Sequence, residues 1–164
     1  MPCSRRSGCS EWVSTRWADG ASGFRHHSDN GQGVLLDEAE AARWYRLAAD
    51  QGYAGAQNNL GVMYQNGTGV PQDDAEALRL YRLAADQGNA RAQNNLGFMY
   101  NSGRGIPQDY VEAHMWYNLA AAQLTGEDRD LPVKNRDIVA ERMTADQIAE
   151  AQRRARECTP TPEP

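Results

Sequence analysis

Lysine is almost missing from this chain. Lys134 is the only one, and arginine supplies the rest of the 17 basic residues, which we read as genome composition rather than mechanism. Basic charge is in deficit overall. Seventeen Lys and Arg face 22 Asp and Glu, for a formal charge of -5 and a pI near 5.2, so the basic face that nucleic-acid binding demands is absent. No segment approaches the roughly 18 apolar residues of a membrane-spanning helix, and membrane insertion is not expected. Arg5 and Arg6 are not followed by an apolar run long enough for a secretory signal. As written, the chain is therefore expected to be cytoplasmic. Cys3, Cys9 and Cys158 are an odd count without regular spacing and imply no disulfide framework.

What the chain has in quantity is itself. The stretch AQNNLGVMYQNGTGVPQD, residues 56–73, returns as AQNNLGFMYNSGRGIPQD, residues 92–109. At an offset of 36, residues 54–89 and 90–125 agree at 21 of 36 positions, and 37–53 and 73–89 at 13 of 17. Self-similarity at one fixed period means stacked supersecondary units, each burying its apolar face against its neighbours.

Each unit reads as two helices. Ala56, Leu60, Met63 and Tyr64 fall on one helical face. Gly61, repeated as Gly97, costs about 1 kcal/mol in a helix relative to Ala, which predicts a close approach by the partner helix. The second helix stripes Ala77, Tyr81, Ala84 and Ala85 inward and turns Arg79, Arg82 and Asp86 outward. Between them, Gly67 and Gly69 permit a tight connection and Pro71 stops the helix. Asp73 and Glu76, Asp109 and Glu112, and Asp37 and Glu40 have capping-box spacing. Gly52 and Gly88 stand where a left-handed cap ends a helix.

The pattern A-x-x-x-L-G-x-x-Y-x-x-G-x-G-V-P-Q-D-x-x-E-A-x-x-x-Y-x-x-A-A-x-Q-G, carried by residues 31–125, resembles the Sel-one-like repeat family, relatives of the tetratricopeptide class. The resemblance implies an all-α, right-handed α-solenoid that binds a protein or peptide as a non-catalytic adaptor or scaffold, with no cofactor. It also brings an alternative, since some cysteine-rich relatives are described as β-lactamases. The paired cysteines of those relatives are missing, and no serine stands three residues before the one lysine, so the Ser-x-x-Lys of serine enzymes of that class is absent.

The expected organisation is an atypical or disordered segment at 1–29, a half repeat with only its second helix at 30–53, full repeats at 54–89 and 90–125, capping helices at 126–158, and a disordered proline-rich tail at 159–164. Residues 1–29 break the pattern abruptly. This favours a misassigned start on a longer repeat protein over a flexible tail, and a lost N-terminus would leave a periplasmic or secreted location open. A truncated fragment is thus a further alternative. At the other end Gly126 and Pro132 mark a break, followed by an expected helix near 133–142. Thr144 and Gln147 then cap a last helix whose Ile148, Ala151 and Ala155 stripe can close the array.

Few residues suggest chemistry. Cys3 and Cys9 with His26 and His27 match no common zinc spacing, and no metal site is expected. His114 stands where the preceding unit has Leu78 and is expected at or near the surface. Trp44 and Trp116 share the position of Leu80, and packing between units is expected to account for them. The candidate partner-binding residues lie opposite the packing stripe of the first helices: Asn58, Val62 and Gln65, then Asn94, Phe98 and Asn101. In solenoids of the tetratricopeptide type this is the concave face, and amides there can donate to and accept from an extended peptide.

Overall fold

In a computed structural model the described residues, 38–158, form seven helices: α1 Glu38–Asp50, α2 Ala54–Asn66, α3 Asp74–Asp86, α4 Ala90–Ser102, α5 Tyr110–Gln123, α6 Glu127–Ala140 and α7 Ala145–Cys158. The expectations placed on residues 1–37 and 159–164, including the Asp37 cap and the cysteine–histidine group, lie outside them. The helices pack in sequence order as an α-solenoid, α2 on α3 and α4 on α5, with α1 on α2 and α3 on α4 joining the units. After α5 the chain adds α6, and α7 then folds back onto α5.

The two-helix unit is closed by a missing Cβ. A methyl at Gly61 would sit 2.8 Å from the Tyr81 ring, and one at Gly97 2.8 Å from the Tyr117 ring. Both tyrosines are fully buried at the centre of their units. Gly105 serves the stacking of units instead, since a Cβ there would lie 2.8 Å from the Asp74 carbonyl at the start of α3.

The capping boxes form only on one side. Asp73 Oδ1 accepts from the Ala75 and Glu76 amides at 3.0 Å, and Asp109 does the same for Val111 and Glu112. The glutamates do not reach back. Glu76 pairs with Arg79 at 2.6 Å, and Glu112 with Arg154 of α7 at 2.7 Å. The reciprocal arm forms at Thr144, whose amide donates to Gln147 Oε1 at 2.9 Å while its Oγ1 accepts from the Gln147 amide at 3.3 Å. Ala151 and Ala155 of α7 are buried as a cap requires.

Three expectations need correction. The helix placed near 133–142 starts at Glu127, with Pro132 inside it and buried. The proline forgoes one bond to the carbonyl four residues back. His114 is fully buried under α6 rather than at the surface or half-buried. Trp116 packs in the core, but Trp44 does not. It is 65% exposed, because no described helix covers its side of α1.

Candidate functional site

The repeated polar residues of α2 and α4 are ties between units. Gln57 and Gln93 are buried. Each donates to a carbonyl at the end of the preceding second helix, Gln57 to Ala49 at 3.2 Å and Gln93 to Ala85 at 3.3 Å, adding to the Gly52 and Gly88 amides that these carbonyls already accept. Each also accepts from its own unit's second helix, from Gln87 and Gln123 at 2.7 and 2.8 Å. Arg46 and Arg82 reach forward to the hydroxyls of Tyr64 and Tyr100, with each guanidinium 5.9 Å from the ring centroid.

Asparagines join the first helices to one another. Asn95 Nδ2 donates to Asn58 Oδ1 at 3.0 Å, and Asn135 Nδ2 donates to Asn94 Oδ1 at 3.2 Å. Asn95 and Asn135 therefore play the same part, and α6 serves as a further first helix with its register moved one turn. Three residues on from Asn59, Asn95 and Asn135 stand Val62, Phe98 and Ile138. These form an apolar row across α2, α4 and α6. Val62 is half-buried, while Phe98 and Ile138 are each 40% exposed.

The six candidate residues divide in two. Phe98 is open to solvent and Val62 partly so. Three of the four amides are engaged within the fold. Asn58 is buried and Asn94 half-buried in the asparagine ties. Gln65 Oε1 accepts from Tyr81 at 2.6 Å, while its carbonyl accepts from Gln72 and Arg104. Asn101 stands at the equivalent place, where its backbone carbonyl accepts from Gln108 at 2.6 Å but its side-chain Oδ1 is buried without a partner among the described residues. Burial pushes the Tyr117 hydroxyl up to about 12. Sequence reading missed Asn95, Asn135 and Ile138. The signal for Asn95 was its exact recurrence from Asn59, whereas the one-turn shift of α6 hides the other two from a 36-residue offset.

Helix α2 carries no charged residue and α4 only Arg91, whereas α1, α3 and α6 carry both signs. Arg104, where the preceding unit has Thr68, pairs with Asp74 at 2.9 Å and donates to the Gln65 carbonyl at 3.3 Å. Among the described residues no group of three or more His, Cys, Asp or Glu could hold a metal ion. No described helix is long and apolar enough to cross a membrane.

Comparison with known proteins agrees with this architecture. The Sel1 repeat model matches residues 23–53, 54–89 and 90–123, so its first match starts before the half repeat expected from residue 30. A crystal structure of a protective antigen present in uropathogenic Escherichia coli strains, displaying an SLR fold, is 34% identical with a TM-score of 0.70. It matches over 74% of this chain and 26% of its own. A Sel1 repeat protein from Oxalobacter formigenes is 32% identical with a TM-score of 0.55, over 78% of this chain and 58% of its own. The chain thus spans about a quarter of the first and little more than half of the second. No curated protein matches it.

Proposed function

The chain belongs to the Sel1 repeat family, and from that premise we propose that it is a non-catalytic adaptor that holds a protein or peptide partner on the face of α2, α4 and α6. The observation that carries this reading is the row Val62, Phe98 and Ile138, set among uncharged amides on α2 and α4 and continued onto the charged helix α6. Apolar side chains left open on such a row favour a partner segment that brings apolar side chains of its own. The asparagines and Gln65 hold the row in register, and the contact itself falls to Phe98 and Ile138, with Val62 at the edge.

The test is a cross-linked pull-down from lysate of the source organism, comparing the intact chain with Phe98→Glu/Ile138→Glu. Both residues are partly exposed, so the double variant should keep its cooperative melt. Captured partner should fall at least tenfold. Equal capture by the two chains would overturn the reading.

A further inference from the structure

Helix α6 sits on α5 through different chemistry from that which joins α4 to α3. With its register moved one turn, α6 has Arg136 where α4 has the fully buried Leu96, and α5 has His114 where α3 has Leu78. Leu96 lies in the main apolar cluster and Leu78 packs against it. An imidazole and a guanidinium therefore occupy the places of two leucines. Beyond the bond from Asn135 to Asn94, little among the described residues holds α6 down. Only Pro132 and Val139 of its 14 residues are buried, against six of 13 in α4 and eight of 14 in α5. A helix that buries so little opens at lower cost than the rest of its array.

The seat beneath α6 is flanked by cations. One turn before His114, Tyr110 lies under the Arg142 guanidinium, 5.9 Å from its ring centroid, and one turn after it Asn118 accepts from Arg136 at 3.4 Å. His114 falls between them on the same side of α5, buried, with Nδ1 unpartnered among the described residues. Of the acids on this stretch, Asp137 is already paired with Arg136 at 2.8 Å and Glu141 is exposed. Helix α4 brings no charge but Arg91, in its first turn. Glu112 lies on the opposite side of α5, held with Glu150 around Arg154 of α7. Burial and the charge of Arg136 weaken the hold of His114 on a proton, and Asp137 offsets them only in part.

We propose that His114 is a proton-operated latch: proton uptake by the imidazole unseats α6 and takes Asn135 and Ile138 out of the row they share with Phe98. The control of partner binding rests on the adaptor reading above, whereas the release of α6 does not. Asn135, Arg136, Asp137 and Ile138 are consecutive, so a new cation beneath Arg136 acts on the turn that completes the row. Opening α6 gives the imidazole to water, and the open form takes the proton that the seated form resists. Helix α6 is thus held in full above the ordinary histidine value of about 6.5, and less firmly as the pH falls from there.

Hydrogen exchange of the full chain at pH 7.5 and 5, read as protection factors, tests the latch without a partner. Protection across residues 127–140 should fall about threefold relative to that across α2 and α3. His114→Leu and His114→Gln should each abolish that difference. Leucine keeps the seat apolar and glutamine keeps it polar but untitratable, so a packing effect is told from loss of the proton. Protection of α6 that follows the other helices in the parent chain, or that falls equally in both variants, overturns the latch. The cross-linked pull-down is then run at pH 7.5 and 5.5. Capture by the parent chain should fall with pH, and capture by His114→Leu should not. Release of α6 with unchanged capture overturns the control of binding and leaves the adaptor reading standing. Equal capture by Phe98→Glu/Ile138→Glu at pH 7.5 overturns the adaptor reading and that control with it, while exchange still decides the latch.

Discussion

The same glutamate, tryptophan and leucine occur at the first and third second helices, and the molecule treats them in opposite ways. Trp116 lies in the main apolar cluster beneath α7, while Trp44 stands in solvent. Residue type and local helix are equal at the two sites, so the difference among the described residues comes from what the neighbouring helices supply. In a stacked array the energy of a side chain belongs to the interface between elements. The largest effect expected from any single change here tests that. Trp116→Ala should cost about 3–5 kcal/mol in urea unfolding, and Trp44→Ala within about 0.5 kcal/mol. Equal costs at the two tryptophans would mean that Trp44 is covered in solution.

A second contrast lies within the first helices and is smaller. At Gly97 a Cβ would meet the Tyr117 ring at 2.8 Å and the Ala113 carbonyl at 3.2 Å, whereas at Gly55 nothing lies within 4 Å. Gly97→Ala should therefore destabilise by about 1–3 kcal/mol, the range of overpacking a tight core. Gly55→Ala should stabilise by up to about 1 kcal/mol through helix propensity alone. Thermal melts of the two variants against the parent chain give the signs. A stabilising Gly97→Ala would show that the helices of a unit can move apart without loss.

Much of this was legible because the chain repeats itself. The period located the helices, and recurrence of Gly61 at Gly97 revealed a steric requirement before any ring was seen above it. The asparagines and glutamines recur as faithfully, but periodicity cannot distinguish a side chain that waits for a peptide from one that ties two units together. That distinction depends on where the neighbouring unit's carbonyls and amides fall, as with Gln57 on Ala49 and Asn95 on Asn58. The α6 start was hidden because Pro132 reads as a breaker, and its burial has no signature along the chain. Trp44 was misread for the opposite reason. Its equivalence to Trp116 is real, and equivalence in sequence does not carry a covering helix with it.

The smallest expected effect concerns the position that differs most between the second and third units. Leu78 of α3 is His114 in α5, buried beneath α6 with Nδ1 unpartnered among the described residues. Burial lowers its pKa from the ordinary histidine value, and the positive charge of Arg136 lowers it further, while Asp137 opposes them. The fold thus disfavours the charged form of His114, and the unfolded chain binds its proton more readily. Below the unfolded pKa of about 6.5 the unfolded state gains protons that the native state declines. The stability from this group is present above that pH and is lost as the pH falls towards the lowered native value. His114→Leu, the residue the second unit already uses, should remove this contribution. Melting temperature measured between pH 7.5 and 5 should therefore fall less steeply in the variant than in the parent chain. Parallel slopes would show that water or a counter-charge reaches His114, and that the exchange of leucine for histidine between the two units is electrostatically silent.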